Sequence, residues 1–456
     1  AGSEQAHFYG SILLAPGGRH GCTSGCWHPD AALPLDLRLW ISEIIAALPG
    51  RCAVTVLELL TGTLLTGYGS ISQAILAVPC RRHWTSYYWM VRKGQFGWKA
   101  MVHALCRIVR REFPSERCVV VGDDTLIPRV SAAAPGAAIQ YDHARKPNRP
   151  DYILAQTVVS LSAVIGNSLG SWSVPLISNL AVRTGNHGKL ETMRAMLEEV
   201  SGTLGAITLL LDAWYMKGYL ILDALKRDAI VIGQVRRDTA LYDPPPSRTG
   251  KPGRPRKYGD RITKEKLKTR AQTHTELSIY GGQRTVRYRT AVCRARFLGG
   301  RLVRAVWVSM LVDGQWKAER LLPSTDWSHS AEYVISTHSL RWTVEPMFAA
   351  MKWGEGMIGM WMRSVETFHR WLNIVQIGRA LIQMLAVKAD AATQALAQVA
   401  AWRKERYLTA GMVKTGLVRA FWNIAPAEAW HRRGRKFDPS RRVPIRTRVV
   451  HTASAA

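Results

Sequence analysis

Two apolar runs, each ending in acid, constrain the fold more than anything else in the chain. Residues 118–125, CVVVGDDT, are a short β-branched run that stops at Asp123 and Asp124. Residues 206–215, AITLLLDAWY, repeat the arrangement with Asp212. Runs of this length and composition read as buried strands, which sets each acid at a strand's C-terminal tip. Acids at strand ends mark a site at the edge of a sheet, where the backbone stops and side chains reach solvent or metal. A lone acid there says little. A pair invites a search for a third, because hydrolysing a phosphodiester with two Mg²⁺ ions about 3.5–4 Å apart needs several hard oxygen ligands.

The third acid is sought in EYVISTHSLRWTVEPMFAAMK, residues 332–352. Taken as one helix, it gathers His338, Arg341, Glu345 and Lys352 within an arc of about 60°. Leu340, Val344, Met347 and Met351 make a separate apolar stripe that would pack the helix on the sheet. An ordinary amphipathic helix also segregates charge. The order of residue types is more telling: an acid with Arg one turn before it and Lys two turns after suits a carboxylate that holds Mg²⁺ while the cations grip phosphates.

The rest of the chain alternates between the two periodicities. Residues 1–30 are Gly-rich and irregular, and from Leu33 to about Phe113 the pattern is helical, with Gly and Pro between the pieces. Within it, GYGSISQAILAVPCRRHWTSYYWMVRKGQFG has the proportions of two short helices and a turn. The second carries Arg81, Arg82, His83, Tyr87, Tyr88, Arg92 and Lys93, as a helix-turn-helix does for the major groove. A plain helical bundle gives the same pattern. Beyond Asp212, a Pro/Gly-rich basic loop precedes QRTVRYRTAVCRARF and RLVRAVWVSMLV, which alternate as strands do. Helix returns near Ser330 and continues in pieces to Tyr407, and the last stretch is basic and broken by Pro.

Composition narrows the partners. With 62 Lys and Arg against 33 Asp and Glu, the formal charge is +29 and the pI about 10.3. Such a field attracts polyanions, and counterion release makes nucleic acid the obvious one. A hydrophobic share of 47% rules out wholesale disorder. Neither a spanning apolar run nor a signal-peptide order is present, and seven scattered cysteines suit a reducing cytosol. A cytoplasmic, nucleoid-associated protein away from membranes is expected. Two weaker signals stand beside this. Arg254, Arg256 and Lys257 in GRPRK resemble an AT-hook, although a solvated basic loop touching phosphates is the plainer reading. His20, Cys22, Cys26 and His28 approximate a zinc tetrad without standard finger spacing.

Taken together, these residues give the chain a specific likeness. It resembles a bacterial insertion-sequence transposase of the DDE superfamily, in the group marked by a Y-x-x-R-x-x-x-E-x-x-x-x-x-x-K helix. Arg341, Glu345 and Lys352 match that spacing, and Trp342, Val344 and Phe348 match its surroundings. Asp123-Asp124-Thr125 resembles the family's D-x-[ST] strand element, and Asp212 in LLLDAWYMKGYLI resembles the second. STDWSHSAEYV, YDHARKPNRPDY and MWMRSVETFHRWLN are similar to the family as well, so the likeness covers about residues 60–385. It departs in two places. His338 takes the tyrosine position, and the doubled acid leaves Asp124 as an alternative to Asp123, which the placing of Thr125 favours.

The resemblance implies an α/β catalytic core, a ribonuclease-H-like mixed sheet flanked by helices and interrupted by a β-rich insertion. An N-terminal all-α DNA-binding region and a C-terminal helical segment complete it. The expected layout is an irregular segment at 1–30, a helix-turn-helix-like end-binding domain at 31–115, core at 116–226 and 323–385, the insertion at 227–322, and a helical segment with a basic arm at 386–456. Asp123, Asp212 and Glu345 would be the catalytic, metal-binding acids, holding two Mg²⁺ for which Mn²⁺ substitutes. His338, Arg341, Lys352, Arg81, Arg82, Arg92, Lys93, Arg254, Arg256 and Lys257 would contact phosphates and DNA. The implied partners are double-stranded DNA, as terminal inverted repeats and target, and a second copy of the chain on paired ends. In cut-and-paste relatives the insertion helps hold the cleaved end, often with a tryptophan wedge, and Trp307, Trp316 and Trp327 are eligible. A non-mobile Mg²⁺ nuclease on the same fold and a non-catalytic DNA-binding regulator are the alternatives.

Overall fold

The computed structural model describes residues 33–94, 96–142, 150–182, 186–247, 256–398, 407–422 and 424–440. His20, Cys22, Cys26, His28, Arg254 and the chain beyond residue 440 lie outside them.

The first five elements are helices: α1 (Leu35–Ala46), α2 (Gly50–Leu65), α3 (Ile71–Leu76), α4 (Trp84–Lys93) and α5 (Trp98–Glu112). In α5 the buried Trp98, Met101, Val102, Leu105, Ile108 and Val109 recur at helical spacing, and Arg110 and Arg111 close the last turn, where cations suit the helix dipole. Arg81, Arg82 and His83 were expected on the second helix of the hairpin, but α4 begins only at Trp84. The turn before it is pinned to α2: Glu58 accepts the Arg81 backbone N–H at 2.8 Å and the Tyr87 hydroxyl at 2.7 Å.

The sheet follows with β1 (Cys118–Pro128), β2 (Ala138–Tyr141), β3 (Tyr152–Asn167) and β4 (Gly170–Leu180). After α6 (Asn186–Leu204) come β5 (Ile207–Leu211), α7 (Gly218–Leu225) and β6 (Ala229–Gly233). Strand β3 runs antiparallel between β4 and β1, and β1, β5 and β6 are parallel. Three antiparallel strands followed by two parallel ones, with helices against them, agree with the expected ribonuclease-H-like core.

The remaining strands are β7 (Leu241–Tyr242), β8 (Thr273–Ile279), β9 (Gly282–Ala295), β10 (Arg301–Val312), β11 (Gln315–Trp316) and β12 (Arg320–Ser324), with α8 (Lys264–Lys268) before β8. They continue the same sheet: β12 meets β6 through Ser324 and Ile232, then pairs with β10, which pairs with β9. The chain returns through α9 (Ala331–Ser339), α10 (Val344–Ala349), α11 (Val365–Lys388), α12 (Ala391–Leu396) and α13 (Ala410–Ala420), ending in a small β13–β14 hairpin (Trp430–His431, Lys436–Phe437). Helix α11, capped by Ser364, lies against β4 on one side and packs α2, α4, α5 and α13 around it. One apolar core therefore runs from the N-terminal helices into the sheet. Among the described residues no helix is long and apolar enough to cross a membrane.

The segment expected as one signature helix is broken. A 3₁₀ turn over Leu340–Thr343 separates α9 from α10, and a wider π turn over Ala350–Gly354 follows. Pro346 supplies the reason, because it has no N–H to give to the Trp342 carbonyl and its ring crowds that turn.

Candidate active site

The acids are placed by strand register. Gly122 on β1 lies beside Leu211 on β5, so the next residues, Asp123 and Asp212, leave abreast on strands about 4.8 Å apart. A side chain at 122 would crowd Met193 of α6 and Leu211, each about 3 Å from an added Cβ, so glycine permits the close packing beside the acids. Asp123 was expected at a strand tip, but β1 continues to Pro128 because β3 goes on pairing with it opposite Ser160 and beyond. The edge arises instead where the parallel partner β5 stops.

Each carboxylate is oriented. Asp212 Oδ1 accepts the backbone N–H groups of Trp214 and Tyr215, both at 3.0 Å, which folds the loop back on its own acid. Asp123 Oδ1 accepts the Asp124 N–H at 2.8 Å, and its Oδ2 takes Arg341 Nη1 at 2.8 Å. Burial first, and then the neighbouring Asp212, push the Asp123 carboxyl up to about 7, with Arg341 opposing. Asp212 is raised as well, mainly by burial. Two acids that disfavour each other's charge in a dry setting call for a cation.

The doubled acid separates by side-chain direction, since neighbours on a strand point to opposite faces. Asp124 Oδ1 accepts the Tyr215 hydroxyl at 2.8 Å, and Oδ2 pairs with Lys189 Nζ at 2.9 Å. Lys189 in turn lies 4.8 Å from the centre of the Trp214 ring. Burial and the nearby acids hold the Tyr215 hydroxyl protonated, well above its usual range. Asp124 is thus engaged by a hydroxyl and an ammonium and Asp123 by a guanidinium; the register sets Asp123 beside Asp212, and Asp124 is also near enough to raise Asp212. Sequence reading missed Lys189 and Tyr215. Tyr215 carries a weak signal in following Asp212 so closely; Lys189 carries none, because only the packing of α6 brings it to Asp124.

The signature segment contributes unevenly. Arg341 reaches Asp123 from the 3₁₀ turn. Glu345 is exposed on the first turn of α10, and among the described residues no three His, Cys, Asp or Glu side chains stand close enough to hold a metal ion. The expected apolar stripe does pack inward, with Val344, Met347 and Met351 buried. His338 was expected on phosphate, and this is corrected: α9 packs on β10 and β12, leaving His338 only 6% exposed. Burial, with Arg341 and Arg320 nearby, lowers its pKa to about 3, so it is a neutral interior side chain. Lys352 is half-buried in the π turn; Arg81, Arg82, Arg92, Lys93, Arg256 and Lys257 are exposed. Of the eligible tryptophans, Trp307 is buried in β10, Trp316 lies under the Arg287 guanidinium at 4.4 Å, and Trp327 is exposed.

No curated protein matches the chain. Residues 46–296 match a family described as DDE superfamily endonuclease. That stretch includes Asp123, Asp212, Lys189 and Tyr215 and ends before Arg341, Glu345 and Lys352. It spans more than half of the chain, which therefore belongs to the DDE superfamily endonucleases.

Proposed function

We propose that the chain is an insertion-sequence transposase that cleaves the ends of its element by metal-assisted hydrolysis and joins the 3′ ends to target DNA. The observation that carries this reading is the buried pair Asp123 and Asp212, set abreast by the β1–β5 register. The donor set fits Mg²⁺: hard carboxylate oxygens, disfavoured as a bare pair, in a site where phosphates and water complete the shell, as is usual for this ion. Asp123 and Asp212 would hold the ions, and Glu345, on the segment that brings Arg341 to Asp123, is the proposed third ligand. When bound, Mg²⁺ or Mn²⁺ lowers the pKa of attacking water and stabilises the leaving oxygen.

The chain's own groups do the rest. The Trp214 and Tyr215 amides fix the Asp212 carboxylate through its Oδ1. Asp124, through Tyr215 and Lys189, ties together β1, the loop after β5 and α6. Arg341 and Lys352 would take phosphate oxygens and offset charge as it develops. The resemblance to the Y-R-E-K group, with His338 in place of tyrosine, would imply a dimer acting on paired ends in the bacterial cytoplasm. The family description names an endonuclease, which keeps cleavage without joining as the second reading.

One assay separates them. Linear DNA carrying both flanks of the gene is incubated with the protein, Mg²⁺ and a target plasmid. Transposition yields cut ends and joined products; a simple nuclease yields cuts alone. Asp123→Asn, Asp212→Asn and Glu345→Gln should each lose both products while retaining end binding, because a lost ligand misaligns the reacting oxygens. Undiminished cleavage by Asp123→Asn and Asp212→Asn would sink the proposal.

A further inference from the structure

A cleft of about 1170 Å³ opens between the loop leaving β6, residues 261–265 and the β10–β12 edge. Small-molecule sites usually hold about 300–1,000 Å³, so this space suits a segment of polymer. Its rim carries Arg236, Arg237, Arg261, Lys264, Lys317 and Arg320, all exposed. Three acids also line it, Asp238, Glu265 and Glu319. Asp238 is taken by Arg236 through contacts of 3.2 and 3.1 Å. Arg237, Lys264, Lys317 and Arg320 form no ion pair among the described residues, which leaves a surplus of unspent positive charge.

The position of the cleft follows from the same register that sets the acids. Leu211 on β5 lies beside Gly233 on β6, just as Gly122 on β1 lies beside Leu211. The residues that follow, Asp123, Asp212 and Gln234, therefore stand side by side where β5 and β6 end, with β1 running on. Gln234 and Val235 are the first wall of the cleft, one strand spacing of about 4.8 Å beyond Asp212. At the far wall Arg320 is close enough to depress His338, one turn before Arg341. Arg320 on β12 and Arg341 in the 3₁₀ turn thus lie on two elements that both contact α9.

We propose that this cleft seats the sugar–phosphate backbone of the DNA strand running off the acid pair. No aromatic side chain lines it, and its single amide, Gln234, offers little for reading bases. The cations of the rim are assigned to phosphates, which every sequence presents alike. The identity of the polyanion rests on the nuclease reading above; the binding itself does not.

The test is a salt titration without divalent metal, so that cleavage plays no part. Full-length protein is titrated by fluorescence anisotropy onto random-sequence labelled DNA, as a duplex and as a single strand, between 50 and 200 mM salt. Two double variants, Arg237→Ser with Lys264→Ser and Lys317→Ser with Arg320→Ser, are compared with Arg110→Ser plus Lys226→Ser. The control pair lies where β1 and β6 begin, at the opposite end of the sheet. Each cleft pair should flatten the slope of log K against log salt by roughly 1.4–1.8, near 0.7 per phosphate contact on single strands and 0.9 on duplex. A flattening on either form of DNA, with unchanged melting temperature and a smaller effect in the control, supports the proposal. Equal losses in cleft and control pairs, or unchanged slopes in both cleft pairs, would overturn it, whatever the outcome of the cleavage assay.

Discussion

Asp123 shows at the scale of one residue how a site can cost its fold stability. Its carboxyl is raised from an ordinary 3.8 to about 7 by burial and by Asp212. The unfolded chain therefore releases this proton first, and between those two values the native state binds more protons than the unfolded one. Stability linked to Asp123 is complete below about pH 4 and is lost as pH rises through 7. Asp123→Asn removes the burden, so with a chelator present it should be more stable to unfolding than the parent at pH 8 by on the order of 1–3 kcal/mol. The gain should vanish near pH 4. A melting series showing no gain at pH 8 would mean that Arg341 already neutralises the pair. Both acids were legible in the sequence, because an apolar run ending in acid is a local pattern. The partners of Asp124 were not, since Lys189 and Tyr215 reach it only through the packing of α6 and the loop after β5.

Elements were legible where their own periodicity sufficed and illegible where a partner decided the outcome. Helices α1 and α5 show their buried faces in the spacing of apolar residues. The alternation of β9 and β10 announced strands but not their neighbours, and only the β12–β6 pairing reveals that they extend the catalytic sheet. The signature helix failed for a local reason that was in view, Pro346. Close approach of two elements is a further case. An added Cβ at Gly62 of α2 would meet the Ala74 carbonyl of α3 at 2.2 Å, a backbone contact that cannot rotate away. Gly62→Ala should therefore destabilise the protein by about 1–3 kcal/mol, the usual cost of overpacking. Thermal or urea unfolding checks this, and an unchanged midpoint would show that α3 moves freely against α2.

On the scale of the whole molecule, the proposed reading of DNA at α4 and the proposed cutting at the acids fall in separate places on one body. Helix α4 and the turn before it present Arg81, Arg82, Arg92 and Lys93 to solvent. Arg370 of α11 donates to the Val91 and Arg92 carbonyls at the end of α4, at 3.2 and 3.1 Å. Helix α11 in turn lies on β4, in the sheet that carries the acids. A DNA segment gripped at α4, as proposed, would thereby be held at a fixed offset from Asp123 and Asp212. If α4 reads bases, Arg81→Ala, Arg82→Ala and Lys93→Ala together should weaken binding to the element end by more than binding to random DNA. Each lost base contact costs about 1–3 kcal/mol of discrimination, whereas a lost phosphate contact weakens every sequence alike. Asp123→Asn should leave both affinities near the parent's, because its carboxylate is proposed to hold metal and not DNA. Competition binding with end and random duplexes at one salt concentration decides the point. An equal loss on both would assign α4 to the phosphate backbone and move sequence reading elsewhere on the molecule.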